Sequence, residues 1–225
     1  YTSRIEVEPL ENALANVKNT IESTLHATQA SDYAIYISSN TPTFRDTLAT
    51  IQPYKGNRSG NDKPVHYEAC RNYIINVRQA EECFRIEAYD KVAVECVNRP
   101  GSILVSNDKD LLQVPGLHFN WTKPDEGIYT ITKEDALHYK YIQILSGDSV
   151  DNIVGIPGLG DKGADKLLRN MYGSTEEEYD EMCSLYYIER LGDEVGLHNY
   201  QETKALITII INSEQLESVI NRENN

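Results

Sequence analysis

The stretch that decides the fold spans residues 146–164 and reads SGDSVDNIVGIPGLGDKGA. If it begins as a helix, Asp148 and Asp151 share one face, because residues three positions apart are neighbours on a helix. Two adjacent carboxylates repel each other unless they are protonated or bind a cation, so they predict ligands for a hard metal ion. Gly155, Gly158 and Gly160 follow and allow a tight turn with close backbone approach to a partner.

A helix is predicted to begin directly after these glycines, with Ala164, Leu167 and Leu168 on its apolar face. The free backbone N–H groups at the beginning of a helix form a site for phosphate. Metal ligands beside a hairpin that binds phosphate indicate phosphodiester chemistry on a nucleic acid. The alternative is a helix–hairpin–helix that binds DNA without carrying out chemistry.

A second acidic motif follows the apolar run Ile103–Val105, which predicts a buried strand. Asp108 and Asp110 come shortly after this strand. Ligands in open α/β sheets bind at the carboxyl ends of the strands, so these two carboxylates are candidates for the same site. Taken alone, the segment could equally be an ordinary turn rich in aspartate. Its combination with Asp148 and Asp151 favours metal ligands.

The remaining pattern predicts strands that alternate with helices, which is typical of an α/β protein with a parallel sheet. Helices are expected at 8–28, 67–77, 133–145 and near 203–220, and a further strand at 33–37. We predict an α/β core over residues 1–140, with an arch segment near 52–75, and a helical region over residues 141–225. The acidic run at 176–181 is expected to be a solvated helical face.

The composition describes an acidic globular protein of 225 residues, with 40% hydrophobic and 25% charged residues and a net charge of −14. This charge argues against a protein that binds DNA by simple electrostatic attraction, although the distribution of basic residues matters more than their total. No run of about 18 apolar residues is present, so no membrane span is predicted. The four cysteines are widely spaced and are expected to be reduced thiols.

At residues 147–164 the chain resembles the 5′ nucleases, also called the flap endonuclease superfamily, and in particular their bacteriophage members. Their pattern Gly-Asp-x-x-Asp-Asn-Ile-x-Gly, with the glycines, Lys and Ala that follow, is matched almost throughout. Residues 106–113 match a second family pattern, Ser-x-Asp-Lys-Asp-Leu-x-Gln. The resemblance covers roughly residues 33–170. It implies a PIN-like α/β fold, in which helices flank a central parallel sheet and a helix-3-turn-helix region binds DNA.

The resemblance also implies metal ligands at Glu87 and Asp90, where the family reads Glu-Ala-Asp-Asp at the beginning of a helix. This chain has Tyr89 at the third position, which is normally a ligand in the family. A phenol has a pKa of about 10 and is a poor ligand for magnesium. An alternative role for Glu87 and Asp90 is to complement the helix dipole. The implied metal-binding set is Glu87, Asp90, Asp108, Asp110, Asp148 and Asp151.

Two more positions depart from the family pattern. The family carries an Asp on its first strand, which would precede Tyr1, so this strand is expected to be missing from the chain. A second Asp is common after the next strand, where this chain has Ser38-Ser39-Asn40 ahead of Phe44-Arg45. The resemblance therefore implies that the aspartates at 108, 110, 148 and 151 hold one cation and that a second cation is poorly held.

A basic motif, Tyr54-Lys55-Gly56-Asn57-Arg58, matches the family's Tyr-Lys-x-x-Arg at the base of the arch, where 5′ nucleases thread or clamp single-stranded 5′ ends. The resemblance implies that Lys55 stabilises charge on the scissile phosphate and that Arg58 forks onto phosphate oxygens. Tyr54 would stack on a base or pack in the core, and the motif alone could also be a solvated loop. The residues expected to contact DNA are Arg45, Tyr54, Gly155, Gly158, Gly160 and Lys162.

Taken together, the resemblance implies a metal-dependent 5′→3′ exonuclease and flap endonuclease, acting on DNA in phage or bacterial replication or degradation. Its cofactors would be Mg²⁺ or Mn²⁺, two ions in the family and as few as one here, with K⁺ at the hairpin carbonyls. It would act as a monomer in the cytoplasm of a bacterial or phage-infected cell, on 5′ ends, flaps, nicks and RNA–DNA hybrid primers, without a membrane. The alternative is a catalytically degenerate DNA-binding module of the same fold.

Overall fold

The computed structural model describes residues 8–58, 63–171 and 175–221, so the arch segment predicted near 52–75 lies partly outside the described residues. The helices are α1 (Leu10–Thr28), α2 (Phe44–Leu48), α3 (Tyr67–Asn76), α4 (Ala88–Asn98), α5 (Lys133–Ser146), α6 (Asp161–Met171), α7 (Glu176–Leu191), α8 (Asp193–Ile207) and α9 (Ser213–Asn221). The strands are β1 (Tyr36–Ser38), β2 (Glu81–Cys83), β3 (Ile103–Val105), β4 (Gly116–Phe119), β5 (Ile128–Ile131), β6 (Gly147–Asp148) and β7 (Ile153–Val154). Within the described ranges, each helix is too short or too polar to span a bilayer.

The elements agree closely with the sequence pattern. Helices α1, α3 and α5 and strand β3 lie within two residues of their predicted bounds, and β1 begins three residues later than predicted. The single helix expected near 203–220 is wrong, because α8 ends at Ile207 and α9 begins only at Ser213. The apolar residues between them form an extended segment instead.

The α/β class with parallel strands is confirmed, although the predicted central sheet is divided. Strand β1 pairs in parallel with β2, and β3 pairs in parallel with β4. Strand β5 adds to β4 in the antiparallel direction, because the short loop between them can only form a hairpin. Strands β6 and β7 form a separate small antiparallel hairpin that contains Asp148.

The largest hydrophobic cluster lies among the helices of the C-terminal half. Tyr141, Ile144 and Leu145 of α5 are fully buried there, together with residues of α6, α7 and α8. Tyr54, from the loop ahead of α3, packs into the same cluster. Helix α5 therefore joins the helical region to the loop that carries Lys55. The domain boundary predicted after residue 140 falls within α5 and stays a prediction.

The extended segment between α8 and α9 connects two smaller clusters. Ile210 packs with the residues around β2 and α4, whereas Ile209 packs with those around β3 and the 3₁₀ turn Lys109–Gln113. Because successive side chains of an extended chain point in opposite directions, neighbouring residues reach different clusters. The segment thus lies between the two acidic motifs that the sequence predicts to form one site.

Candidate active site

Asp148 and Asp151 are brought together by a tight turn and not by a helix. Asp148 ends β6, and its Oδ1 accepts hydrogen bonds from the backbone N–H groups of Val150 at 2.7 Å and Asp151 at 3.3 Å. The segment is not helical, because Gly147 (φ 74°) and Asn152 (φ 60°) leave the right-handed helical region at both ends of the turn. Both carboxylates are nevertheless buried and line one cavity.

Gly155 is buried against the backbone of Gly147, which does not fit the DNA contact predicted for it. A β-carbon on Gly155 would lie 2.2 Å from the carbonyl carbon of Ser146 and 2.3 Å from the nitrogen of Gly147. Only a residue without a side chain permits this approach. The contact closes the hairpin of β6 and β7, so Gly155 acts on the site by holding Asp148 in place.

The predicted catalytic Lys55 lies among the predicted metal ligands. Its Nζ is 2.6 and 2.7 Å from the two carboxylate oxygens of Glu87 and 3.6 Å from Asp151 Oδ2. The backbone N–H of Lys55 also donates to the carbonyl of Asp151 at 2.9 Å. The basic motif and two of the acidic motifs, distant in sequence, therefore meet at one place.

Tyr54 lies beneath this group and is 7% exposed. Its hydroxyl oxygen is 2.8 Å from Glu87 Oε1, 2.9 Å from Asp151 Oδ2 and 3.2 Å from the hydroxyl of Tyr89. Burial raises the pKa of Tyr54, and the neighbouring negative groups raise it further, so the phenol stays protonated and donates. A ring buried in this way is not placed to stack on a base. Of the two roles expected from the sequence, packing is the one observed.

Two more basic side chains pair with the carboxylates of Asp151 and Asp148. Arg58 Nη2 contacts Asp151 Oδ1, and Lys109 Nζ lies 3.3 Å from Asp148 Oδ2. Burial lowers the pKa of Lys109, but the charge and hydrogen bond of Asp148 outweigh this effect, and the pKa is raised overall. Lys109 was part of the matched motif but was not predicted to act in the site.

Asp110 lies at the carboxyl end of β3, as the second acidic motif predicts. Burial raises the pKa of Asp110 to about 6, and the charge of Asp108 acts in the same direction. Gln143 Nε2 of α5 donates to Asp110 Oδ1 at 2.5 Å, which partly opposes these effects. Asp108 is exposed, and its Oδ1 accepts the backbone N–H of Asp110 at 3.0 Å.

Tyr89, the residue that departs from the family pattern, lies among these carboxylates. It lines a cavity of about 10 Å³ whose other polar walls are Asp110, Gln143, Asp148 and Asp151. Burial raises the pKa of Tyr89 well above its usual value, so its hydroxyl is neutral. A carboxylate at this position would add another negative charge to the same cavity. The replacement of an aspartate by Tyr89 therefore removes a carboxylate from the predicted metal site itself.

Arg45 and Asp90 do not have the roles that the sequence predicted, which were contact with DNA and metal binding. Both side chains are completely buried, and Arg45 Nη1 and Nη2 lie 2.7 and 2.9 Å from the two oxygens of Asp90. The Arg45 guanidinium also lies 4.9 Å from the ring centre of Tyr89. Both oxygens of Asp90 are occupied and Arg45 has no exposed donor, and the pair contacts the site through the Tyr89 ring.

The glycine hairpin presents a separate exposed surface. Gly158, Gly160 and Lys162 are all exposed, and a β-carbon on either glycine would meet no other atom within 4 Å. Helix α6 begins here at Asp161. Helix α5 packs against α6 and also against the 3₁₀ turn that contains Asp110. One helix therefore fixes the hairpin relative to the acidic site.

Sequence reasoning missed two residues of α5 that face this site. Gln143 donates to Asp110, and Tyr139 lies one helical turn earlier on the same face. Burial raises the pKa of Tyr139, and the charges of Asp110, Asp161 and Asp148 raise it further, so its hydroxyl stays protonated. The spacing of four residues was visible in the sequence, but Tyr and Gln on a predicted helix carry no signal for a site.

The donors gathered here fit a hard divalent cation by type. Carboxylate oxygens are the ligands that Mg²⁺ and Mn²⁺ prefer in proteins. Among the described residues, however, no set of three or more possible ligands is arranged to hold a metal ion, and ammonium or guanidinium groups pair with Glu87, Asp148 and Asp151. A cation would therefore have to displace these groups. The fold and the site define an α/β protein with an acidic centre beside an exposed glycine hairpin.

Comparison with known proteins confirms the resemblance read from the motifs. An exodeoxyribonuclease of Enterobacteria phage T3 is 33% identical over 116 residues, which are 48% of this chain and 38% of that protein. DNA polymerase I of Rhizobium leguminosarum is 30% identical over 176 residues, which are 70% of this chain and 16% of that protein. Flap endonuclease Xni of Shewanella woodyi is 28% identical over 193 residues, 76% of each chain. The chain thus spans less than half the length of the first two relatives, and no family model matches it.

Solved structures agree on the fold. The T5 5′-exonuclease with bound zinc superimposes with a TM-score of 0.72 and 17% identity, covering 92% of this chain and 85% of that one. The bacteriophage T5 flap endonuclease in a complex with DNA and metal ions gives a TM-score of 0.64 and 16% identity, covering 93% and 89%. The chain is therefore related in sequence to 5′ nucleases and has their fold.

Proposed function

We propose that the chain is a metal-dependent 5′→3′ exonuclease and structure-specific flap endonuclease that hydrolyses DNA phosphodiesters. The observation that carries this proposal is the convergence of Lys55 and Arg58 with Glu87, Asp148 and Asp151 in one partly buried site. These residues come from three separate motifs of the sequence. The names of the relatives, which include exonucleases and a flap endonuclease, support the same proposal.

The residues that would hold the metal are Asp108, Asp110, Asp148 and Asp151, with Glu87, which shares Lys55 with Asp151, as a further carboxylate. Bound Mg²⁺ or Mn²⁺ would supply an activated water and neutralise charge on the oxygens of an in-line displacement. We infer one well-held ion and one weakly held ion, because Tyr89 contributes a neutral phenol to the cavity. We also propose that hairpin carbonyls take K⁺.

Lys55 and Arg58 would act on the scissile phosphate. In the structure they neutralise Glu87 and Asp151. Once other cations neutralise those carboxylates, an ammonium and a planar guanidinium become available at the mouth of the site. The ammonium of Lys55 would stabilise negative charge that develops on the phosphate, and Arg58 would hold two of its oxygens. The conformation of the loop at 53–55, fixed by the buried ring of Tyr54, would keep both in reach.

The hairpin would hold the duplex next to this site. Gly158 and Gly160 leave the surface open, and Lys162 adds a positive charge at the beginning of α6. Such contacts bind phosphates and position the DNA without reading its sequence. We propose 5′ ends, flaps, nicks and RNA–DNA hybrid primers as substrates of a monomeric enzyme, in replication or degradation of DNA in a bacterial or phage-infected cytoplasm.

A catalytically degenerate DNA-binding module is the second candidate. Tyr89 favours it, because a phenol replaces a carboxylate inside the cavity. The Ser38-Ser39-Asn40 segment also favours it, because it stands where the family commonly has an acid, and the Ser38 hydroxyl there accepts the backbone N–H of Ala88 at 2.8 Å. Both departures lower the number of carboxylates at the site without touching the hairpin.

Cleavage of a labelled 5′-flap DNA in Mg²⁺ tests the proposal. We expect wild-type protein to release the flap and Asp148→Asn to lose at least about 100-fold in rate, which is on the scale of a lost charge-stabilising group. Asparagine keeps Oδ1 as an acceptor for the turn, so the hairpin should persist. Lys123→Ala, which removes an exposed ion pair with Glu126, serves as the control and should cleave normally. Flap binding without cleavage by wild-type protein would favour the degenerate module, and neither binding nor cleavage would refute both readings.

A further inference from the structure

A buried amide lies directly behind the acidic site. Gln143 of α5 is 3% exposed, and its Nε2 donates to Asp110 Oδ1 at 2.5 Å. The hydrogen bond occupies one carboxylate oxygen from inside the protein. The same two residues line the small cavity that Asp148 and Asp151 share, and Asp110 Oδ1 is the oxygen that Gln143 occupies.

The direction of this hydrogen bond is set by a second buried amide. Gln113 Nε2 donates to the carbonyl of Ile207 at 3.1 Å and to Gln143 Oε1 at 2.6 Å, and Gln113 Oε1 lies 3.5 Å from the backbone N–H of Ile209. A backbone carbonyl can only accept, so Gln113 must present its NH₂ group to Ile207. Gln143 must then present its oxygen to Gln113 and its NH₂ group to Asp110.

Stability does not account for this arrangement. Gln113 lies between residues of a buried apolar cluster that contains Leu111 and Val114, and Gln143 lines its cavity beside Ile207 and Ile209. Two buried amides cost free energy unless all their hydrogen bonds are made, and apolar residues of similar shape would be about as stable. Apolar residues at these two positions could not donate a hydrogen bond to Asp110, whereas the amide of Gln143 does.

We propose that Gln143, oriented by Gln113, is a positioning residue that fixes the Asp110 carboxylate for cation binding. The proposal rests on the metal-dependent function proposed above. Gln143 does not contact the cation or the substrate. Gln143 holds one oxygen of Asp110 and is itself hydrogen-bonded to Gln113, which contacts the backbone at the end of α8. The Asp110 carboxylate is therefore already ordered before a cation binds. Loss of such supporting hydrogen bonds typically weakens metal affinity about 10- to 100-fold.

The test is a titration of the protein with Mn²⁺ alone. Electron paramagnetic resonance measures the concentration of free Mn²⁺ at each step and so gives the dissociation constant. Gln143→Met keeps the length and volume of the side chain and removes the donor, while Gln113 keeps its bond to Ile207. Gln143→Asn keeps the amide but shortens its reach, and it serves if the methionine variant does not fold. We expect either variant to stay folded, with a lower urea midpoint because Gln113 and Asp110 each lose a partner, and to bind Mn²⁺ at least about 10-fold more weakly. Gln201→Met, an exposed residue of α8, is the matched control and should bind normally.

The outcomes separate this inference from the proposed function. Folded Gln143 variants with wild-type Mn²⁺ affinity would overturn the inference while leaving the function intact. No saturable Mn²⁺ binding by wild-type protein would instead refute the metal-dependent function. In a cleavage assay, excess Mg²⁺ should restore the rate of the Gln143 variants, since only cation binding is weakened. Failure of excess Mg²⁺ to restore it, in a folded variant, would point to a general structural defect and overturn the positioning role.

Discussion

Arg45 and Asp90 form a bidentate ion pair in which neither side chain is exposed to solvent. Arg45 further donates to the carbonyls of Leu206 at 2.9 Å and Thr208 at 3.1 Å, and Asp90 accepts the backbone N–H of Ile210 at 3.1 Å. Burial alone would lower the pKa of Arg45, but the charge and hydrogen bonds of Asp90 raise it, so the pair stays ionised. The pair holds α2, α4 and the extended segment together.

Arg45→Met should therefore destabilise the fold by about 3–5 kcal/mol, because it leaves Asp90 charged, buried and unpaired. Urea unfolding of the wild-type and variant proteins measures this loss. The double variant Arg45→Met/Asp90→Leu should recover a large part of it, since the uncompensated charge is gone. A single variant that loses less than about 1 kcal/mol, on the scale of an exposed ion pair, would contradict the burial of the pair.

The sequence could predict which residues meet, but not always what they do there. The spacing of Asp148 and Asp151 indicated a pair of carboxylates, and the structure brings them together although the helix behind that reasoning is a turn. Arg45 was predicted to contact DNA, but its side chain is completely buried. Its partner is 45 positions away, and no local pattern reports such a contact.

Polar residues on predicted helices were the other source of error. The glutamates of the acidic run at 176–181 are exposed as predicted, but Asp180 is half-buried, accepts a hydrogen bond from the Tyr141 hydroxyl at 3.1 Å and pairs with Lys204. Gln143 carried no signal at all, because glutamine is common on exposed helix faces. The contacts of these groups depend on how α5, α7 and α8 pack, and that packing is set by long-range contacts that periodicity does not contain.

Asp110→Asn should change how stability depends on pH in the metal-free protein. Burial raises the pKa of Asp110 to about 6, above its value of about 3.9 in unfolded chains. The folded state therefore binds the proton more tightly, and its stability falls as pH rises from about 4 to about 6. Asparagine cannot ionise and still accepts from Gln143, so the variant should gain stability over wild type above pH 6.

Urea unfolding in EDTA at pH 4 and pH 7.5 measures this difference. We expect the gain of Asp110→Asn to be present at pH 7.5 and to shrink toward pH 4, where the wild-type carboxyl is protonated. An equal offset between the variant and wild type at both values of pH would contradict the raised pKa of Asp110.

Tyr89→Asp should tighten cation binding while destabilising the metal-free protein. The new carboxylate would join Asp110, Asp148 and Asp151 around one small cavity, where like charges repel until a cation binds. Mn²⁺ titration and thermal unfolding with and without Mn²⁺ measure the two effects. Tyr89→Phe is the control, because it removes only the hydroxyl that lies 3.2 Å from Tyr54 and adds no charge.

The same variant separates the two candidate functions. If Tyr89 is a degenerated ligand, Tyr89→Asp should raise cleavage of a 5′ flap in Mg²⁺, and the gain should vanish when Lys55→Ala is added. If wild-type protein already cleaves as fast as Tyr89→Asp, the phenol is tolerated and the degenerate module is refuted. If wild-type protein and Tyr89→Asp bind flap DNA equally well and neither cleaves it, the degenerate DNA-binding module is favoured.

Gly160→Leu and Lys162→Ala should each weaken binding to duplex DNA without harming the fold. Gly160 is outside the left-handed region and its β-carbon would meet no atom within 4 Å, so leucine fits the free protein but obstructs a partner. Lys162 would lose one phosphate contact, which should lower the salt dependence of binding by about one unit of slope. The loss should be similar for all DNA sequences, because phosphate contacts carry no sequence information.

Gly155→Ala is the contrasting variant. Its β-carbon would clash with Ser146 and Gly147, so it should lower the urea midpoint of the protein rather than act on DNA binding alone. Binding that is unchanged in Gly160→Leu and Lys162→Ala, or lost only for particular sequences, would exclude this hairpin as the DNA contact.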